Sequence, residues 1–312
     1  MIIDCHRHVW PHPKHLQDGS LGGAGPLPDW LENGWPNLVD QNDAPIRGLV
    51  DCSIILGFKS KLLGAGIPNE FIAEYVSEQA DCTVGFAGVD PTERSSLVEA
   101  AELISNQGFA GVVISPGVQG FHPCDTRAMN LYTKLAELDV PLMIHYPERW
   151  LSSAHLEQAR PALLDEVART FSKLRIVISS LGWPYVDEAL LLLAKHANVY
   201  ADLSIVVDQP MRAYQVISNA YHYQIMDKLL FGSGWPYRTV RAAVGALYNI
   251  NEIPRQTGLP AVPRGALRKI VERDSLTLLG IKHPPGMSSR DSKEEPEELV
   301  PVKDAAANPG TE

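Results

Sequence analysis

Short apolar runs alternate with longer amphipathic runs along most of this chain. The apolar runs are rich in Val and Ile, which favours strands, and several are apolar throughout, as is typical of strands buried on both faces of a parallel sheet. Eight can be assigned: Ile2–Val9, Cys52–Phe58, Thr83–Val89, Phe109–Ile114, Pro141–Tyr146, Leu174–Leu181, Val199–Ser204 and Lys228–Ser233. Eight such strands with helices between them predict a (β/α)8 barrel of the TIM type.

The amphipathic runs predict the helices of this barrel. They are Asn69–Ala80, Arg94–Asn106, Thr126–Leu138, Leu156–Phe171, Tyr185–His196, Met211–His222, Thr239–Asn251 and Arg264–Leu279. Pro184 and Pro236 stand where helices are expected to begin, and Asp125 is placed to cap the helix after the fourth strand. An open doubly wound sheet is the alternative, but no GxGxxG phrase follows any strand, which favours the closed barrel.

Length and composition fit a single barrel domain over residues 1–283. A (β/α)8 barrel usually takes about 250 residues, and this chain has 312. Residues 10–50 are rich in Pro, Gly, Trp and Asn, and a connection of that length is more often a lid or binding loop than a linker. Residues 284–312 form an acidic stretch without aromatic residues, which predicts a disordered tail.

Charge and cysteine content narrow the classes of partner. The chain has 27 Lys and Arg against 37 Asp and Glu, a formal net charge of −10, which disfavours nucleic acid as a partner. No apolar run approaches the roughly 20 residues that span a bilayer, so no membrane partner is expected. The first residues lack the basic and apolar segments of a secretory signal, and the four cysteines form no CxxC pair. These features predict a cytoplasmic protein with reduced thiols.

The first strand carries the clearest chemical signal, Asp4-Cys5-His6-Arg7-His8. Side chains alternate across a strand, so His6 and His8 point the same way and lie about 6–7 Å apart along it, within reach of one metal ion. Asp4 shares their parity and is placed to orient one of the rings. His145 stands near the end of the fifth strand, where barrel enzymes collect catalytic groups; a core histidine bonded to a backbone carbonyl is the alternative.

The chain resembles the amidohydrolase-related family, in the branch that holds aminocarboxymuconate-semialdehyde decarboxylase, resorcylate-type decarboxylases and several lactonases. The resemblance covers most of residues 1–281. The stretches that carry it are IIDCHRH (2–8), GFAGVVISPGVQGFHPCD (108–125), VPLMIH (140–145), LRIVISSLGWPYVDEALLLLAKHANVYADLS (174–204), LLFGSGWPY (229–237) and RDSLTLLGI (273–281). Together these phrases are specific, although each alone is not.

This resemblance implies a (β/α)8 barrel with its site at the carboxyl ends of the strands. It also implies a divalent metal, usually zinc, held by the HxH pair, the fifth-strand histidine and an aspartate of the eighth strand. The first three ligands correspond here to His6, His8 and His145. A sixth-strand histidine normally serves beside the metal as acid or base.

Two positions depart from the family pattern. Ser180 stands at the place of the sixth-strand histidine, and Gly234 at the place of the eighth-strand aspartate. Gly234 has no side chain that could bind a metal, and an unassisted hydroxyl such as that of Ser180 stays protonated near neutral pH. Three neutral imidazoles can still hold Zn²⁺ with an open position. We therefore expect a weaker metal site without its usual proton acceptor, a loss of about 10²–10⁴ in rate.

Other residues are candidates for the missing roles. His122, after the fourth strand, and Asp202, in the seventh, are the candidate catalytic residues, although Asp202 is equally compatible with a structural role. The candidate substrate-binding residues are Arg149, Trp150, Trp183, Trp235 and Ser180. A guanidinium fork matches a carboxylate, and indoles at the barrel mouth suit an apolar or aromatic ligand. The expected ligand is therefore a small anionic molecule.

Two functions remain open from the sequence. The first is a divergent metal-dependent hydrolase or carboxy-lyase that acts on a small carboxylate or lactone, and the three retained histidines favour it. The second is a catalytically silent barrel that binds a small ligand or a protein partner, and the departures at Ser180 and Gly234 favour it. Family members are often dimers, so the resemblance is also compatible with a homodimer.

Overall fold

The structure, a computed structural model, describes residues 1–9, 49–147 and 150–287 of the chain. Most of the predicted lid or binding loop (10–50) and nearly all of the predicted tail (284–312) lie outside these described residues. Within them, no helix is long and apolar enough to cross a membrane.

Eight strands form one parallel sheet whose spatial order is the order of the chain. Each strand lies inside one of the apolar runs predicted from the sequence and is shorter than that run. The strands are β1 (Ile3–Arg7), β2 (Cys52–Leu56), β3 (Thr83–Gly88), β4 (Gly111–Ile114), β5 (Leu142–Ile144), β6 (Ile176–Ile178), β7 (Val199–Asp202) and β8 (Leu229–Leu230).

Backbone hydrogen bonds between β1 and the chain after β8 bring the two ends of the sheet together. The Cys5 amide donates to the Phe231 carbonyl at 2.9 Å, and the Gly234 amide donates to the His6 carbonyl at 3.0 Å. The His8 amide donates to the Trp235 carbonyl at 2.9 Å, and Arg7 and Trp235 form a parallel bridge. These bonds complete the ring of strands, so the predicted (β/α)8 barrel is confirmed.

Helices surround the barrel and largely follow the predicted periodicity. They are α1 (Asn69–Glu78), α2 (Ser96–Gln107), α3 (Pro116–Gln119), α4 (Thr126–Glu137), α5 (Asp165–Thr170), α6 (Val186–Lys195), α7 (Pro210–His222), α8 (Val240–Tyr248), α9 (Glu252–Thr257), α10 (Arg264–Val271) and α11 (Ser275–Leu278). A short antiparallel ribbon, Lys59–Ser60 with Ala65–Gly66, follows β2.

Two predicted helices are each broken in the structure. The run Leu156–Phe171 becomes two 3₁₀ turns, Leu156–Ala159 and Pro161–Leu164, followed by α5, because Pro161 has no N–H with which to continue the first turn. The run Arg264–Leu279 divides into α10 and α11, because the Asp274 side chain accepts from the Thr277 amide and starts a new helix there.

Alternate strand residues divide the buried side chains into two clusters. One cluster takes side chains from nearly every strand and fills the inside of the barrel, among them Ile54, Phe86, Val113, Met143, Val177 and Leu230. The other joins the outward face of the strands to the helices. Most catalytic side chains of such a barrel therefore have to come from the carboxyl ends of the strands, beyond the packed interior.

The backbones of β2 and β3 approach closely at their carboxyl ends, and glycines permit it. A Cβ built on Gly88 would lie 2.5 Å from the Phe58 backbone nitrogen, and one on Gly57 would lie 2.4 Å from the Gly88 nitrogen. Backbone atoms cannot rotate away as a side chain can, so any side chain at these positions would push the two strands apart.

We expect Gly88→Ala to lower the free energy of unfolding by roughly 2 kcal/mol or more, the range for overpacking a tight core. Gly245→Ala is the matched control, because nothing lies within 4 Å of a Cβ built there. Inside helix α8 that change should raise stability by about 0.5–1 kcal/mol. Urea denaturation of both variants is the measurement. Equal effects of the two substitutions would contradict the close approach of the strands.

Candidate metal centre

Three histidines meet at the carboxyl end of the barrel. His6 and His8 come from β1 and the residue position just after it, and His145 is the first residue after β5. One nitrogen from each ring lies within 4.8 Å of the others. Ring centroids are 5.2 Å apart for His6 and His8, 5.6 Å for His6 and His145, and 5.0 Å for His8 and His145. The predicted convergence of these three rings is present in the structure.

A bulge in β1 puts the two strand-one rings on the inner face. The pairing of β1 with β2 matches Asp4 with Ser53 but Arg7 with Ile55, so the register shifts between them. An extra residue of this kind reverses the alternation of faces. Asp4 therefore shares a face with Arg7 and not with His6, and the expectation that Asp4 orients a histidine ring through shared parity is wrong.

Hydrogen bonds fix the orientation of His6 and His8. The Nδ1 atom of His6 lies 3.0 Å from Oδ2 of Asp202, and the Nδ1 atom of His8 lies 3.2 Å from the Leu56 carbonyl oxygen. Both acceptors require the proton on Nδ1, which makes Nε2 the nitrogen that would coordinate a metal.

His145 completes the cluster from the opposite side of the barrel. The His145 amide donates to the Ile114 carbonyl at 2.7 Å, and the His145 carbonyl accepts from the Ser115 hydroxyl at 2.8 Å. These two bonds fix the backbone of His145. Its Nε2 lies 3.1 Å from Nε2 of His8. Because the His8 proton is held on Nδ1, only a proton on His145 or a shared cation can make that contact attractive.

The donor set fits a divalent metal. Tetrahedral zinc, with bonds of about 2.0–2.1 Å, holds ligand nitrogens roughly 3.3 Å apart, close to the 3.1 Å between His8 and His145. Burial, together with the His6 charge, lowers the pKa of His8 to about 3, and burial lowers the pKa of His145 well below its usual value. Both rings are thus neutral near pH 7, the form that binds metal. The Nδ1 atom of His145 is buried and has no hydrogen-bond partner among the residues that the structure describes.

Asp202 lies beneath this cluster at the end of β7 and is fully buried. Its Oδ1 accepts from the amides of Ser180 and Ser204, each at 3.0 Å, while Oδ2 faces His6. Burial alone would raise the pKa of Asp202, but the His6 ring and the two amides more than offset it, so the pKa lies below its ordinary value. Every contact of this carboxylate is therefore with an N–H group.

The Ser180 and Ser204 hydroxyls extend this network. Their Oγ atoms are 2.8 Å apart, and the Ser204 hydroxyl lies 3.2 Å from Nδ1 of His6. Ser204 has no counterpart among the residues singled out from the sequence. Its position two residues after Asp202, at the end of a barrel strand, is the signal that could have identified it.

Asp4 anchors backbone rather than a ring. It accepts from the amide and hydroxyl of Ser233 at 2.8 and 2.6 Å, and from the His6 amide at 3.2 Å. Burial raises the pKa of this carboxyl group, although the Ser233 bonds oppose the shift. Asp4 thereby holds β1 against the chain that follows β8.

Position 234 has no metal-binding side chain and also has little space for one. Gly234 has φ +70°, and a Cβ built on it would lie 3.2 Å from the Ser204 Cβ. The Arg238 guanidinium lies 3.8 Å from the same point, donates to the Ser204 carbonyl and pairs with Asp208. A longer side chain at 234 would therefore compete with Ser204 for space.

The remaining candidate residues occupy different places. His122 is exposed on the turn before α4, where its Nδ1 accepts from the Cys124 amide at 3.1 Å, and it is not part of the three-histidine cluster. Arg149 lies outside the described residues. Trp150 packs against Gly117, and its buried Nε1 has no hydrogen-bond partner within the described part of the chain.

Two arginines stack on the tryptophans predicted at the barrel mouth. The Arg212 guanidinium carbon is 5.9 Å from the centroid of the half-buried Trp183 ring, and that of Arg7 is 5.9 Å from the Trp235 ring. Arginine over an indole face is an attractive arrangement. Neither arginine was identified from the sequence, because each lies far along the chain from the indole that it contacts.

A sequence profile of the family described as Amidohydrolase matches residues 3–281. A search of curated proteins finds no match to this chain.

Several solved structures share the fold. An uncharacterised TIM-barrel protein from Bordetella bronchiseptica is 19% identical, with a TM-score of 0.65 over 89% of this chain and 98% of that one. A dihydroxybenzoic acid decarboxylase from Polaromonas sp. JS666, with bound manganese and 2-nitroresorcinol, is 15% identical, with a TM-score of 0.63 over 89% and 96%. A probable 2-pyrone-4,6-dicarboxylic acid hydrolase from Acinetobacter baumannii, with citric acid bound, is 18% identical, with a TM-score of 0.57 over 90% and 99%. These likenesses establish the fold.

The crowding at position 234 predicts that an acidic residue cannot simply be restored there. Gly234→Asp and Gly258→Asp both place a side chain on left-handed backbone, at φ +70° and +73°, but only position 234 has neighbours within 4 Å. We expect Gly234→Asp to cost at least about 1 kcal/mol more in unfolding free energy than Gly258→Asp. Adding Ser204→Gly to Gly234→Asp should recover about 0.5–1 kcal/mol as a coupling energy in a double-mutant cycle. Independent effects of the two changes would contradict this packing.

Proposed function

Because this chain belongs to the amidohydrolase family, we propose that it is a metal-dependent hydrolase or carboxy-lyase that acts on a small carboxylate or lactone. The observation that carries the proposal is the meeting of three imidazoles, two of them held neutral by burial, at the carboxyl end of a barrel. Nδ1 of His6 and of His8 is held by an acceptor, so both rings present Nε2 as a ligand. This arrangement is what a three-histidine metal site with an open position requires.

His6, His8 and His145 would hold the metal. Zinc suits an imidazole donor set, as do several other divalent ions, and the Polaromonas decarboxylase holds manganese. Such an ion supplies Lewis-acid polarisation of a bound carboxylate or carbonyl oxygen.

The residues around the three histidines orient the imidazole rings, but none of them is a clear proton donor or acceptor for a substrate. Asp202 holds a proton at Nδ1 of His6, and the Leu56 carbonyl holds one at Nδ1 of His8. Where the resemblance places a histidine acid or base, the structure has the Ser180 hydroxyl bonded to Ser204. A hydroxyl without an adjacent base keeps its proton near pH 7. We therefore propose slow turnover, reduced by about 10²–10⁴ relative to a site with a positioned base.

A small anionic substrate is consistent with the features of the barrel mouth. Trp183 and Trp235 are half-buried there, each under an arginine, and Trp150 and Arg149 follow β5. Structurally similar proteins are described as acting on dihydroxybenzoic acid and on 2-pyrone-4,6-dicarboxylic acid. The homodimer and the cytoplasmic location stay predictions.

Metal analysis with an activity panel tests the proposal. Purified protein incubated with Zn²⁺ or Mn²⁺ and then desalted should keep about one ion per chain, as for a closed protein site. His145→Ala should reduce that content at least tenfold. His196→Ala is the control, because His196 bonds to Asp165 outside the cluster. Wild type should convert at least one member of a panel of dihydroxybenzoates and pyrone or sugar lactones, and His145→Ala should not. Wild type that keeps no metal under these conditions would refute the proposal.

The silent barrel is the second candidate, favoured by Ser180 and Gly234 together. It predicts one bound metal ion per chain but no conversion of any panel member above the rate with His145→Ala. Turnover therefore separates the two functions, while the metal content of the same samples tests the site that both share.

A further inference from the structure

We propose that Asp202 is a positioning residue of the metal centre: it fixes the tautomer of His6 that can bind metal, and it is not the acid or base. The inference rests on the proposed metal site and extends it to a residue that does not touch the metal. It replaces the sequence-based expectation that Asp202 takes over proton transfer from the missing histidine.

The contacts of Asp202 leave no role in proton transfer to a substrate. Oδ1 accepts two amides, from Ser180 and Ser204, and Oδ2 lies 3.0 Å from Nδ1 of His6. The residue is fully buried. An acceptor-only group with this set of neighbours can hold a proton on Nδ1 of His6 but cannot give one. In the neutral ring, Nε2 of His6 therefore keeps its lone pair, as metal binding requires.

The chain segment just after β8 leaves space for His6 and Asp202 to come into contact. Gly232, after β8, lies between His6 and Asp202, and a Cβ there would be 2.8 Å from the His6 Cβ and 3.2 Å from Oδ1 of Asp202. A side chain at 232 would separate the carboxylate from the ring. The Asp202 carboxylate also places a negative charge on the far side of the His6 ring from the proposed metal position. That charge is relevant because Gly234, at the place of the family's aspartate ligand, supplies none.

The geometry makes Asp202→Asn an unusually specific probe. The asparagine oxygen should stay at the Oδ1 position, because two backbone amides point at it and an NH₂ group there would face two donors. The NH₂ group then takes the place of Oδ2 and donates to Nδ1 of His6. That bond forces the proton of His6 onto Nε2, the wrong tautomer for binding, as occurs when the aspartate beside a catalytic histidine is replaced by asparagine.

Two measurements test the inference. In long-range ¹H–¹⁵N spectra of the metal-free protein, His6 should carry its proton on Nδ1 in wild type and on Nε2 in Asp202→Asn, assigned with His6→Gln. In competition with a chromophoric chelator, Asp202→Asn should bind Zn²⁺ about 10- to 100-fold more weakly than wild type, the usual effect of losing such a partner.

Asp4→Asn is the matched control, because Asp4 is also buried beside His6 but accepts from its backbone amide. It should keep the His6 tautomer and bind Zn²⁺ within threefold of wild type. Equal Zn²⁺ affinity of wild type and folded Asp202→Asn, or an Nε2 proton on His6 in wild type, would overturn the inference. If Asp202→Asn does not fold, the wild-type tautomer decides alone. If wild type binds no Zn²⁺, the proposed function fails, while the tautomer spectra still test Asp202.

Discussion

The contact between His6 and the Asp202 carboxylate is the interaction on which the candidate site depends. It joins the first strand to the seventh across a barrel whose last strand is only two residues long. Glycine at 232 permits the approach, and the amides of Ser180 and Ser204 hold the carboxylate from the other side. A buried carboxylate needs hydrogen-bond donors around it. The turns after β6 and β7 supply them, so the backbones of both turns are held in place by Asp202.

The turn after β6 holds backbone in a strained conformation. Ser180 and Leu181 both have positive φ, 50° and 48°, although neither is glycine. Left-handed backbone at ordinary residues costs free energy and persists where the surroundings compensate for it. Here the compensation is visible: the Ser180 amide reaches Asp202, its hydroxyl reaches Ser204, and Leu181 is buried in the core. A histidine side chain at position 180 would compete with the Ser204 side chain for space, because the two serine Oγ atoms are only 2.8 Å apart.

The sequence predicts the barrel and the meeting of the three histidines well, because both depend on local patterns. Apolar runs define the strands, and the regular alternation of a strand places both rings of HxH on one face, which the bulge in β1 leaves undisturbed. It fails for Asp4, because a bulge is a property of the pairing with β2 and leaves no mark on either strand alone. It also leaves Asp202 undecided between structural and catalytic roles, because that choice depends on Ser180 and His6, 22 and 196 positions away, which meet it only in the closed barrel.

Metal binding and catalysis have different requirements, and this chain meets them unequally. Binding needs neutral rings, fixed tautomers and nearby negative charge. Burial keeps the His8 ring neutral, hydrogen-bond acceptors orient His6 and His8, and the buried Asp202 carries the negative charge. Proton transfer needs a group near the substrate whose pKa lies close to the working pH. Ser180 lacks that property, and Gly234 has no side chain. The departure at Ser180 therefore acts on the second requirement alone, whereas the departure at Gly234 removes a carboxylate from both. Metal binding would rest on the three histidines with Asp202 beside them, while neither departed position supplies an acid or base.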